Sequence, residues 1–388
     1  VHCSYFDANI CRSCTRMGVE FSRQIAVKQE RLERMLAPWK PAWLAPCTGP
    51  ESYFRNKAKM VAGGSTAAPT LGILGAGQEG VDLTGCGLYE PAVTASFEIV
   101  REFIRRASLT PFHVPTGRGE LKHVLVTASP TGQLMVRFVL RSTESVVRIR
   151  KHLPWLREQL PTARVITANL LPERKALTEG AAELVLTEEE LLPMPIRLDD
   201  ADVLPLFVGP GAFFQTNSTI ASGMYSQARA WMAGLEAAGL THARVWDLYC
   251  GVGGFALALA SPGRRLVGVE VSAPAVEAAR RGAETMRERA GEPAGGAEFF
   301  VGDAAAAVRD LGGVPDVLVV NPPRRGLTDL APWIERTAPR YLIYSSCNPR
   351  TLVTDLERMP GYRVREARLM DMFPQTDHME AMVLAERR

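Results

Sequence analysis

Val245-Trp246-Asp247-Leu248-Tyr249-Cys250-Gly251-Val252-Gly253-Gly254, followed by the apolar run 255–260, decides the fold class. An apolar strand, a glycine turn and a helix in succession let backbone approach a nucleotide closely, because residues without a Cβ leave room for it. Here the acid, Asp247, precedes Gly251 and Gly253 in the order D-x-x-x-G-x-G-G. That order suits S-adenosylmethionine better than a dinucleotide, since the amino-acid end of the former needs no phosphate cradle.

Reading outward, the strand-like stretch 265–269 ends at Glu270, where a carboxylate can accept both ribose hydroxyls, and 297–301 leads to Asp303 beside the adenine region. Upstream, Gln215 stands at a strand-to-helix turn over 204–217 and is placed to bond a ligand. One glycine motif is weak, but three acids at three successive strand ends of one βα series are strong. Two further buried strands are expected at 316–320 and 341–344. The first runs into Asn321-Pro322-Pro323-Arg324-Arg325-Gly326, the second into Ser345-Ser346-Cys347-Asn348-Pro349. In an open α/β sheet ligands sit at the carboxyl ends of strands, so Cys347 is a candidate nucleophile on a rigidly held loop. A terminal hairpin, 363–370 and 379–386, completes a class I methyltransferase sheet and brings Glu380 to the edge facing Cys347.

With 388 residues, a net charge of +3 and 22% charged residues, the composition is that of an ordinary soluble protein of two or three domains. The charge neither demands nor excludes nucleic acid. Residues 1–60 nevertheless carry ten Lys/Arg against five Asp/Glu. No apolar run approaches bilayer-spanning length and no export signal is evident, so the cytoplasm is the expected compartment and no membrane partner is expected. Seven cysteines, unevenly spaced, argue for metal or catalytic use over a disulfide framework. Cys3, Cys11 and Cys14 form C-x7-C-x2-C, and Cys86 follows in Gly85-Cys86-Gly87. Four thiolates suit zinc or an iron-sulfur cluster, and three clustered with one distant is the more typical cubane pattern.

The stretch Phe54-Arg55-Asn56-Lys57-Ala58-Lys59-Met60 puts three cations on one strand face, either a solvated sheet face or a phosphate-tracking surface. Amphipathic helices are expected at 22–36 and 91–108, and strands at 122–128 and 133–141 flank a Pro-Gly turn. With a helix over 145–160 and a strand near 164–169 they make a small α/β region, and the acidic run 198–203 is its nearest surface connection. The chain is expected to divide into a cluster-binding region 1–90, a central α/β RNA-binding region 91–203 and a Rossmann-like catalytic domain 204–388.

Arg324 follows the two prolines where many amino-group methyltransferases carry a base-stacking aromatic, which disfavours amine methylation. Cytosine-C5 enzymes of RNA generally add a cysteine beside that proline, and none is here. Uracil C5 remains: a thiolate adds at C6, C5 takes the methyl, and a base removes the C5 proton. Cys347 would supply the thiolate and Glu380 the base, while Asn321 would bond the uracil edge or the cofactor. Together FRNKAKM, FFQTN, DLYCGVGGF, NPPRRG, YSSCNP and DMFPQTDHMEAM resemble the uracil-5-methyltransferase family of RNA along essentially the whole chain. They are most similar to its short bacterial 23S rRNA branch. The resemblance implies Cys347 as nucleophile, Glu380 as base, and Gln215, Tyr249, Glu270 and Asn321 around S-adenosylmethionine. It further implies a [4Fe-4S] cluster on Cys3, Cys11, Cys14 and Cys86, no TRAM domain, and a monomer acting on a splayed-out uridine of 23S rRNA. A tRNA uracil methyltransferase and a non-catalytic cluster-bearing RNA binder are the competing readings.

Overall fold

The computed structural model describes residues 1–173, 177–199, 202–290 and 296–388, and Asp200 of the acidic connection lies outside them. Two compact units are present. One comprises Val1–Met17, Glu51–Met194 and Gly209–Gly211, and the other Gly18–Pro50, Pro195–Val208 and Ala212–Arg388.

The larger unit is built on an eight-stranded sheet. Its strands are β1 (Arg244–Leu248), β2 (Arg265–Glu270), β3 (Ala297–Val301), β4 (Val317–Val320), β5 (Tyr341–Ser346), β6 (Tyr362–Met370) and β7 (Glu380–Arg387), with a short edge strand Ala42–Trp43. From that edge the order is Ala42–Trp43, β6, β7, β5, β4, β1, β2, β3. Strands β1 to β5 are parallel, and β7 enters antiparallel between β5 and β6. Every residue of β4 and β5 is buried, as continuous apolar runs covered on both faces require. The chain order reverses between β1 and β4, and their carboxyl ends open the crevice where such sheets bind ligands. Leu32 and Leu36 of helix Phe21–Leu36 belong to the same core as Leu248, Val320 and Tyr344.

The smaller unit has a seven-stranded sheet in the order Gly80–Asp82, Pro69–Leu74, Lys57–Gly64, Leu121–Ala128, Leu134–Leu140, Ala163–Leu170, Ala182–Val185. Only the pair Leu134–Leu140 and Ala163–Leu170 is parallel, and helix Val146–Gln159 makes the crossover. Helix Pro91–Arg106 buries Phe97, Val100, Phe103 and Ile104 in one core with Val124, Val126 and Phe138.

The packing departs from three consecutive segments in two places. Strand Lys57–Gly64 pairs with Leu121–Ala128, so the region 1–90 supplies the middle of the sheet expected for 91–203. Helix Phe21–Leu36 buries its apolar stripe in the core of the eight-stranded sheet and so belongs to the larger unit. The strand expected over 204–217 also ends early, at Val208, and Asn217 caps helix Ser218–Ala237 by accepting from the Ile220 backbone N–H. On the cationic stripe, Lys59 pairs with Glu179 at 3.3 Å, and buried Arg137 bridges Glu179 and Glu183 at 2.5 and 2.6 Å. Lys57 is pushed down to about 8, first by burial and then by Lys59. Of the three cations of the stripe, Lys59 is thus paired with a carboxylate, and Glu179 and Glu183 lie near Lys57.

Candidate active site

The first strand ends on a turn in which one position, Gly253, leaves no room for a side chain. Gly253 has φ +81°, and a Cβ there would lie 2.9 Å from the Phe299 ring and 3.0 Å from Ala279 Cβ. Gly251 has φ +54°, with open space where its Cβ would project. Beneath this turn Asp247 is 1% exposed, and its Oδ2 accepts the Ala256 backbone N–H at 2.9 Å. Its Oδ1 is buried without a hydrogen-bond partner among the described residues. Burial pushes the Asp247 carboxyl up to about 7, against the pull of the Ala256 N–H. Asp247 thus braces the helix that follows the glycines, a duty its position before them did not reveal.

Glu270, at the end of β2, accepts the Gly251 N–H on Oε2 at 3.2 Å and the Ser272 N–H on Oε1 at 2.9 Å. It ties the glycine turn to the next strand end. Asp303, just past β3, accepts the Ala305 and Ala306 N–H groups at 3.0 and 3.1 Å and caps the short helix Ala304–Asp310. Tyr249 sits in the left-handed region at φ +63° and packs on the core, its phenol pushed up first by burial and then by Asp303. Gln215 is 6% exposed. Asn321 follows β4 directly and is half-buried.

Cys347 and Glu380 meet through sheet register. Strands β5 and β7 pair Ser346 with Ala381, so Cys347 and Glu380 are the next opposed residues beyond the last paired rung. Glu380 is 3% exposed, and its Oε2 has no hydrogen-bond partner among the described residues. Burial alone pushes this carboxyl up to about 7. The Cys347 thiol is raised first by burial and then by Glu380, while the nearby Arg324 guanidinium opposes both. Arg324 also reaches His378 Nδ1 at 3.4 Å, and its carbonyl accepts from Asn348 Nδ2 at 3.1 Å. The sequence reading used Arg324 only to set aside an aromatic. Its place after two prolines on the neighbouring strand end was the available signal for a cation beside the thiol. Cys250, by contrast, is buried and held well above the usual thiol range by burial.

In the smaller unit Cys3, Cys11, Cys14 and Cys86 lie near one another. Burial pushes the Cys14 thiol up to about 11, with further contributions from Cys86, Cys11 and Cys3. The Gly85 N–H donates to the Tyr5 hydroxyl at 3.0 Å, which joins the N-terminal turn to the loop carrying Cys86. Among the described residues no group of three or more His, Cys, Asp or Glu side chains is placed to hold a metal ion. Among the described residues, too, no helix is long and apolar enough to cross a membrane.

A family model described as tRNA (Uracil-5-)-methyltransferase matches residues 184–287 and 314–388. The relative from Serratia proteamaculans, 23S rRNA (uracil(747)-C(5))-methyltransferase RlmC, is 40% identical over 390 residues, covering 100% of both chains. The chain belongs to the uracil-5-methyltransferase family. A second relative of the same name, from Salmonella enteritidis, is 41% identical over 390 residues, again covering 100% of both chains. Among solved structures, the Pyrococcus abyssi tRNA (uracil-54, C5)-methyltransferase in complex with S-adenosyl-L-homocysteine superposes with a TM-score of 0.76 at 23% identity. The match covers 96% of this chain and 85% of that one, and it shows a shared α/β methyltransferase fold. Within this family the matched segments include β1, β2, β5, Cys347 and Glu380, whereas the four N-terminal cysteines and Asn321 fall inside or outside by position alone: Asn321 is inside and the cysteines are outside.

Proposed function

We propose that this chain is an S-adenosylmethionine-dependent methyltransferase that places a methyl group on C5 of a specific uridine of 23S rRNA, the residue numbered 747 in the relatives' names. The observation that carries the reading is the opposition of Cys347 and Glu380 across β5 and β7 with Arg324 on the thiol. Bound S-adenosylmethionine would supply an electrophilic methyl group. The residues fit it: Gly251 leaves open space at the turn, and Tyr249, Glu270, Asp303 and Asn321 lie at or just past the ends of β1 to β4, with Gln215 proposed to join them from the turn before helix Ser218–Ala237. Asp247 would act from below by fixing the turn through Ala256.

Cys347 Sγ, whose thiolate form Arg324 favours against the push of burial and Glu380, adds to C6 of the uracil, and the ring electrons move to give an enolate. C5 then acquires the methyl group. Glu380 Oε2 takes the C5 proton, the C5–C6 double bond re-forms, and the C6–S bond breaks to return the thiolate. A carboxyl near pH 7 is matched to that work, since it is available as base yet not too weak to accept a proton. A uracil within folded RNA must leave its stack to reach the crevice.

Cys3, Cys11, Cys14 and Cys86 are proposed to hold a [4Fe-4S] cluster. A cubane spans more space than a single ion and takes its thiolates at wider spacing, and the mutual influence of the four thiols supports that grouping. Its chemistry would be structural, tying the N-terminal turn to the sheet.

The test is release of tritium from 23S rRNA or tRNA labelled at uridine C5, with S-adenosylmethionine, for wild type and Cys347→Ala. Release from 23S rRNA alone, lost in Cys347→Ala, is the expected result. Release from tRNA instead would move the substrate, and none from either RNA would overturn uracil-C5 methylation.

A further inference from the structure

The loop that delivers Glu380 is held from a distant part of the chain. Strands β6 and β7 pair Met370 with Glu380, so residues 371–379 form a nine-residue connection, long for a hairpin. Asp371, Met372, Gln375 and Met379 of this loop are nevertheless buried. Two residues of helix Phe21–Leu36, one turn apart on the same face, account for much of its anchoring.

Lys28 Nζ donates to Asp371 Oδ1 at 2.5 Å and to the Phe373 carbonyl at 3.0 Å, and both charged side chains are at most 4% exposed. Gln24 makes a reciprocal pair with Gln375: its Nε2 donates to Gln375 Oε1, and its Oε1 accepts the Gln375 backbone N–H, each at 3.0 Å. Gln375 has φ +65°, a left-handed backbone that a non-glycine residue keeps only where its surroundings hold it. Three residues later His378 meets Arg324, and two beyond that Glu380 begins β7.

We propose that Gln24 and Lys28 are positioning residues for proton removal from C5, clamping the loop so that Glu380 meets the carbon. Apolar side chains could fill the same space without burying charge. What the ion pair and amide pair add is a single loop geometry, and a general base is sensitive to such geometry. The clamp rests on the base assignment made above. It predicts that loosening the loop slows elimination while leaving thiolate addition and methyl transfer largely intact, because Cys347 and the glycine turn lie on other elements.

The experiment uses full-length protein, 23S rRNA lacking the modification and S-adenosylmethionine with a labelled methyl group, in single turnover. The variants are Gln24→Ala and the paired Lys28→Met/Asp371→Met, which leaves no unpaired buried charge, with Glu380→Gln as reference. Labelled RNA held in an SDS-resistant adduct with the protein is compared with total methylated RNA. The expected result is an adduct fraction about tenfold above wild type in both variants, with total methyl transfer changed by less than about threefold. Equal loss of transfer and release, or wild-type partition in both variants, overturns the clamp. Should Glu380→Gln itself hold no adduct, the base assignment fails and the clamp with it. Adduct in Glu380→Gln alone sinks only the clamp.

Discussion

The Arg324 guanidinium lies near the Cys347 sulfur, past the neighbouring strand end, and favours its thiolate. A half-buried thiol beside a buried carboxyl is pushed toward its neutral form, and this cation is the group that opposes the push. Arg324→Met is therefore expected to raise the Cys347 pKa and slow its alkylation by iodoacetamide at pH 8 roughly tenfold. Arg324→Lys keeps the charge but loses the planar fork that also reaches His378, so it should recover only part of the rate. Alkylation followed by mass spectrometry over pH 6 to 10 reads this directly. Equal pH profiles in wild type and Arg324→Met would remove Arg324 from the thiolate.

Glu380 should show a trade between stability and turnover. Its carboxyl is raised by burial from the ordinary 4.5 to about 7, so the folded state binds a proton more tightly than the unfolded chain. That linkage stabilises the fold at pH values below 4.5 and is lost progressively as pH rises through about 7. Its full extent is on the order of 3 kcal/mol. Glu380→Gln avoids ionisation, so it is expected to melt higher than wild type at pH 8 and close to it at pH 5, while losing elimination. Wild-type turnover should in turn rise with pH through about 7 as the base deprotonates. A destabilised Glu380→Gln at pH 8 would contradict the burial argument.

The parts legible in the sequence are those whose neighbours in space are also neighbours along the chain. The glycine turn, the acids after β2 and β3 and the cysteine after β5 each follow from a local strand-to-loop pattern. Even the pairing of β6 with β7 could be read, because a hairpin is local. Lys28 could not be placed this way: its partner Asp371 lies 343 residues on, and a charge on an amphipathic helix reads as solvated. Asp247 is ambiguous for the opposite reason. Its position before the glycines suits either a ligand or a helix brace, and its burial and the Ala256 bond show the brace, which spacing alone does not. Segment boundaries were hardest to read where strand Lys57–Gly64 pairs not only with the adjacent Pro69–Leu74 but also with Leu121–Ala128, beyond a helix.

Gly253 tests the nucleotide turn without touching a reacting group. Gly253→Ala places a side chain in a left-handed conformation, at about 1–2 kcal/mol, and drives its Cβ toward Phe299 and Ala279. Phe299 belongs to β3, so the turn and the strand must separate for the methyl to fit. The expected outcome is a loss of about 2–4 kcal/mol in chemical denaturation together with weaker S-adenosylmethionine binding by calorimetry. Unchanged cofactor affinity in a protein that remains folded would mean that the turn is not the floor of the cofactor site.

The four N-terminal cysteines make the sharpest test of a feature that sequence spacing and thiol grouping support together. Cys14 is the most buried of the set, and its thiol is pushed up to about 11 by burial and by Cys86, Cys11 and Cys3. Neutral thiols gain little by being near one another, whereas cluster irons would hold all four as thiolates. Protein purified without oxygen is expected to contain iron and inorganic sulfide in equal amounts and to absorb broadly near about 400 nm. Cys14→Ser should lose most of both. Because the Tyr5 bond to Gly85 is only a single further tie, among the described residues, between the N-terminal turn and the Cys86 loop, removal of the metal by a chelator should expose that turn to protease first. Cleavage within the first seventeen residues, with the catalytic sheet intact, is the outcome that fits a structural cluster. Iron-free protein that resists protease as well as the wild type would leave the cysteines as packing residues.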